Sequence, residues 1–176
     1  MACELITLIQ ERGYHANVYV KDQLYTNELN DKAWYYKSIT GVQPKEAPDL
    51  RDILTDSPSK IMLIDSRCEE IMAELRQRFG ERINVCVSRR DFCEIVHPDV
   101  SKWTALTQLL KLWNLLPEHV MTIGDQENDI PMLQGAGIGV AMGNAPLHVQ
   151  DCADYVTKDI EDDGVVHAIE RFVFER

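Results

Sequence analysis

From Pro98 onward the chain alternates helix-period segments with short apolar runs, a rhythm that few folds accept. Ser101 reads as the N-cap of a helix whose apolar stripe, Leu106, Leu109, Leu110 and Trp113, is spaced i, i+3, i+4, i+7. VMTIG at 120–124 reads as a strand, residues from about 128 to 134 as a helix, and IGVAM at 138–142 as a second strand. Helical patterns follow near 146–152 and 162–174. Such alternation builds a parallel α/β sheet, with ligands beyond the carboxyl ends of its strands.

Before Pro98 the pattern differs. Leu5, Ile6, Leu8 and Ile9 lie on one side of a short helix that Gly13 can close, and VYV at 18–20 reads as a strand. Residues 28–40 form a second helical stretch with Ala33, Trp34, Tyr36 and Ile39 as its apolar points. Residues 41–60, with Pro44, Pro48 and Pro58, read as an extended surface connection. IMLI at 61–64 is a strand, residues 67–79 are a helix ended by Gly80, and INVCVS and FCEIVH make a hairpin around Arg89, Arg90 and Asp91. This mixture is α+β, which divides the chain into domains at 1–97 and 98–176.

With 45% apolar and 27% charged residues among 176, the composition is that of a globular protein. A formal charge of −11 offers no attraction to a nucleic acid backbone or an acidic membrane, so neither is an expected partner. Residues 121–176 carry 11 acidic and 3 basic side chains, so the last third attracts cations. Five widely spaced cysteines, an odd number, read as reduced thiols, and no leader or apolar span is evident. A cytoplasmic protein is expected.

Directly after VMTIG stand Gly124-Asp125-Gln126-Glu127-Asn128-Asp129, three carboxylates at a strand's carboxyl end. Hard oxygen ligands in one loop select Mg²⁺, which commonly takes phosphate oxygens and water as its other ligands. Lys102 lies just inside the helix opened by Ser101, where a lysine and backbone N–H groups make an anion site. One helix and one short loop separate it from the acidic strand end, so an α/β unit can bring both to one sheet edge.

The stretch from Val100 to Val156, followed by DGVVHAIE at 163–170, closely resembles the C-terminal half of the Cof-type phosphatases of the haloacid dehalogenase superfamily. The matching motifs are Ser101-Lys102, Gly-Asp-x-x-Asn-Asp at 124–129, Ala-Gly-x-Gly-Val-Ala-Met at 136–142, Asn144-Ala145 and Asp-Gly-Val at 163–165. Residues 1–97 resemble the family's inserted cap domain. The resemblance implies an α/β fold, the C-terminal half of a Rossmann-like core plus an α+β cap. It also implies a Mg²⁺-dependent phosphohydrolase of small phosphorylated metabolites, sugar phosphates foremost, working through an aspartyl-phosphate. Lys102 would neutralise phosphate oxygens, Asp125 would bind Mg²⁺, and Asn128 would contact phosphate or the lysine. Asp129 would hold the metal's water or orient its neighbours, as a catalytic and metal-site residue.

The family's Asp-x-Asp-Gly-Thr motif, which carries the nucleophile, is absent from these 176 residues. Its nearest imitation, the apolar run ending in Asp65-Ser66-Arg67, has arginine where the acid/base aspartate belongs, lacks Gly-Thr and lies in the cap region. The chain is expected to be a phosphatase short of the N-terminal part of its core, inactive alone and prone to self-association. The alternative is a non-catalytic or vestigial module that binds phosphate and metal. Trp103 stands where the family usually has glycine.

Other patterns carry less. Gly135, Gly137, Gly139 and Gly143 do not match the dinucleotide spacing and enter a strand instead of leaving one, so they read as turn and close-packing glycines. Cys86, Cys93 and His97 match no zinc spacing and read as hairpin residues. His15, His119, His148 and His167 are expected at the surface or at helix caps.

Overall fold

The structure is a computed structural model describing residues 1–174, and it divides into two compact units, Met1–Pro98 and Asp99–Arg176. The first unit is α+β. Its elements are α1 (Ala2–Glu11), β1 (Ala16–Val20), β2 (Gln23–Thr26), α2 (Asp31–Thr40), β3 (Lys45–Glu46), β4 (Lys60–Ile64), α3 (Cys68–Phe79), β5 (Asn84–Arg89) and β6 (Phe92–Val96). The six strands form one sheet in the order β3-β2-β1-β4-β6-β5, antiparallel except for the β2–β3 pair.

The apolar run of β4 shows why this sheet is covered on both faces. Ile61 and Leu63 turn to one side, where Leu5, Ile6, Leu8 and Ile9 of α1 and Ile71 and Leu75 of α3 join them in the main core. Met62 and Ile64 turn to the other side and meet Leu24, Phe92 and Tyr36 of α2. Strict alternation would leave one face wet; a strand apolar at every position needs cover on both. Cys68 and Cys93 lie in the main core, and the thiol of Cys93 is pushed up to about 12, chiefly by burial. Residues 41–60 are more than a surface connection: they hold the two-residue β3, and Leu50 is fully buried in the main core.

His15 is a correction to its expected place at the surface. It is buried opposite Thr26, whose Oγ1 lies 3.3 Å from its Nε2. Flanked by Gly13-Tyr14 and a strand, it carried no signal in a period count, because it packs where the chain enters β1.

The second unit is a parallel α/β layer. It comprises α4 (Lys102–Trp113), β7 (Met121–Gly124), α5 (Ile130–Gly135), β8 (Ile138–Ala141), α6 (Leu147–Gln150), β9 (Tyr155–Val156) and α7 (Gly164–Ile169), the last running on into a π-helical turn at Glu170–Phe174. The sheet order is β7-β8-β9, with Gly124 opposite Ala141 at the carboxyl ends. Leu133, Ala141, Ala145 and Val149 make its core. The stripe expected on α4 is corrected in part: Leu110 is buried, whereas Leu109 is 42% and Trp113 62% exposed. Among the described residues no helix is long and apolar enough to cross a membrane.

Candidate functional site

The start of α4 is set by reciprocal bonds. The Thr104 N–H donates to Ser101 Oγ at 3.0 Å, and the Ser101 N–H donates to Thr104 Oγ1 at 2.8 Å. This capping box fixes the backbone from which Lys102 projects as the first helical residue. Its ammonium forms an ion pair with Asp129 Oδ1.

Asp129 is reached by a loop that curls back on itself. After β7, residues Glu127–Asp129 make one 3₁₀ turn, which returns the Asp129 carboxylate to the loop's beginning. There Oδ2 accepts the N–H groups of Asp125 at 3.0 Å and Gln126 at 3.1 Å. A Cβ on Gly124 would stand 2.7 Å from Asp129 Cγ, so glycine is what lets the carboxylate sit so close. Asp129 is only 2% exposed. A buried carboxylate persists when cations and N–H donors replace its water, and this one has both.

The three carboxylates of the loop are thereby sorted. Asp129 faces inward to Lys102; Glu127 turns to His148 of α6, whose Nε2 lies 3.3 Å from its Oε1. Asp125, at the carboxyl end of β7, carries among the described residues a single long side-chain bond, 3.4 Å from Gln126 Nε2. Three residues on in the same loop, Asn128 Oδ1 is buried with no hydrogen-bond partner among the described residues. Of the two residues expected to hold a metal, Asp125 has the open oxygens, while Asp129 is committed to the lysine and the loop N–H groups. Lys102, Asp125, Asn128 and Asp129 therefore lie together in the second unit.

No cluster of three or more His, Cys, Asp or Glu side chains suited to a metal exists among the described residues. One open carboxylate with an unpartnered carbonyl oxygen in the same loop nonetheless fits part of a magnesium shell, since Mg²⁺ is often held by one or two carboxylates and keeps several waters.

Other expected residues sit elsewhere. Asp65, in the first unit, is bound by Arg67 at 3.0 Å and Lys32 at 3.2 Å. Arg67 above all, then Lys32, holds its carboxyl well below the usual range despite partial burial. His119 caps its own turn by accepting the Leu116 N–H at 3.1 Å, and His167 Nδ1 lies 3.1 Å from Thr157 Oγ1. The His148–Glu127 pair was not legible in the sequence, because 21 residues and two elements separate its members.

The geometry has close relatives. A family model for haloacid dehalogenase-like hydrolases matches residues 2–169. A protein of Haemophilus influenzae named as a phosphatase is 31% identical over 158 residues, covering 88% of this chain and 58% of its own length. The Bacillus subtilis 5-amino-6-(5-phospho-D-ribitylamino)uracil phosphatase is 36% identical over 104 residues, 59% of this chain and 41% of that protein. A crystal structure of a Thermotoga maritima protein superposes with a TM-score of 0.76 at 32% identity, covering 97% of this chain and 65% of the other. The chain thus spans less than two thirds of these relatives, and with a family model matched over residues 2–169 and a shared fold it belongs to the haloacid dehalogenase-like hydrolases.

Proposed function

We propose that this chain supplies the charge-stabilising part of a Mg²⁺-dependent phosphohydrolase acting on small phosphorylated metabolites, sugar and polyol phosphates foremost. The observation that carries the reading is the Lys102–Asp129 pair at the carboxyl end of β7, with Asp125 open beside it. Phosphoryl transfer depends mainly on positioning and charge neutralisation. Lys102 would present its ammonium to phosphate oxygens while Asp129 goes on accepting one of that ammonium's N–H bonds and so keeps it in place. Asn128 would lend a polar contact, and Asp125 would hold the magnesium, which when bound neutralises phosphate charge. The phosphatases named among the relatives, one of them acting on a ribityl phosphate, support the substrate class.

The nucleophile motif does not occur in residues 1–176, so the test joins an Asp-x-Asp-Gly-Thr strand–helix segment from a relative to Met1. The fusion is expected to hydrolyse p-nitrophenyl phosphate and sugar phosphates with Mg²⁺. Lys102→Ala should lower its rate by roughly two to three orders of magnitude, the loss typical of one preorganised charge stabiliser. Lys102→Ala and Asp125→Ala fusions that both stay within a factor of about three would sink the assignment, since that is under 1 kcal/mol of barrier.

A further inference from the structure

We propose that Trp103 is a positioning residue: its indole, seated on the bare backbone of Gly135, holds the first turn of α4 so that Lys102 stays on Asp129. This rests on the reading of Lys102 as the phosphate-neutralising group. Consecutive residues of α4 reach the two ends of α5. Lys102 takes Asp129, the residue before the helix, and Trp103 takes Gly135, its last. A Cβ added to Gly135 would stand 2.5 Å from Cζ2 and 2.6 Å from Cδ2 of the Trp103 ring, closer than real Cβ atoms come. The ring lies flush on the helix where only glycine leaves room.

One contact fixes a distance; a second contact, made by the next residue about 100° round α4, also resists rotation of α4 about its axis. The Ser101–Thr104 capping box sets where α4 begins but not how it rolls about its own axis. The Lys102 side chain is 52% exposed and rotamer-rich, so the ion pair alone is a weak restraint. The half-buried indole, a rigid body with two rotatable bonds, supplies the roll restraint.

Amine acetylation read by mass spectrometry tests this on the chain itself, with the other lysines as internal references. Trp103→Gly should raise the acetylation rate of Lys102 by about fivefold or more relative to them. Trp103→Phe should fall between. Alanine is the better helix former, so on propensity Gly135→Ala should raise the melting temperature. Against the indole it should lower it and raise Lys102 reactivity, whereas in the Trp103→Gly background it should raise the melting temperature. If Trp103→Gly unfolds, Gly135→Ala, which retains the indole, carries the same comparison. Folded variants whose Lys102 reacts as in the wild type overturn the proposal.

Inorganic phosphate with Mg²⁺ separates the clasp from the phosphate reading. Protection of Lys102 by phosphate in the wild type, weakened in Trp103→Gly, supports the positioning role; equal protection in both overturns it. Protection in neither defeats the phosphate assignment of Lys102, and the clasp is then decided by the acetylation rates.

Discussion

At the scale of single residues, the acidic loop shows how neighbours of one chemistry acquire different tasks. Asp129 has an ammonium and two N–H groups, and Asp125 has, among the described residues, one long bond. Asp129→Ala should therefore cost about 2–3 kcal/mol of stability in urea unfolding, because it orphans two loop N–H groups, while the half-exposed Lys102 ammonium regains water and adds little. Asp125→Ala should change stability by under about 0.5 kcal/mol, because it removes only one long hydrogen bond, while abolishing the fusion's turnover. Equal stability costs would contradict this division. His15 sets a pH dependence in the first unit. Burial first, then the Lys32 charge, pushes its imidazole down from 6.5 to about 4, with Glu28 opposing. The unfolded chain then binds this proton more readily, so stability is whole above pH 6.5 and falls as the pH drops toward 4. Urea midpoints across that window should flatten in His15→Gln relative to the wild type; parallel curves would remove His15 as a cause.

At the scale of elements, the termini of α4 and α5 matter more than their lengths. The α4 cap, the 3₁₀ turn before α5 and the close approach at Gly124 together place two opposite charges on one spot. Ser101→Ala removes one half of the capping box and should destabilise the second unit by about 1 kcal/mol. Calorimetry checks the stability. In the fusion the same change should raise KM for phosphomonoesters, because the backbone bearing Lys102 frays. The Ser101 cap was legible in the sequence as a hydroxyl residue before a helical stripe. The glycine contacts were not, since which atoms approach a bare backbone depends on how separate elements stack.

At the scale of the whole molecule, each unit has its own buried cluster. Residues 1–98 should fold as an isolated fragment with a cooperative transition, checked by circular dichroism and thermal melting. The second unit exposes three apolar side chains within five residues at the end of α4 and just after it: Leu112 is 76%, Trp113 62% and Leu116 52% exposed. Patches of this kind mark interaction or aggregation sites, so the chain should self-associate as its concentration rises. Light scattering should show this, with Leu112→Lys reducing the apparent mass; a monomer at every concentration would contradict the expectation.

The order of elements was written in local pattern. The β4 run, the α4 cap, the hairpin at Arg89–Asp91 and the alternation after Pro98 all follow from periodicity and turn chemistry within a few residues. The Gly-Asp-x-x-Asn-Asp loop was equally plain, because its ligand types are adjacent in the chain. Only the tertiary structure decided that Asp129 answers Lys102 and Glu127 answers His148, that Trp103 rests on Gly135, and that His15 is buried. Period and propensity describe which way a side chain leaves its own backbone. Which partner it then meets depends on the packing of elements far apart in sequence, and no local pattern carries that information.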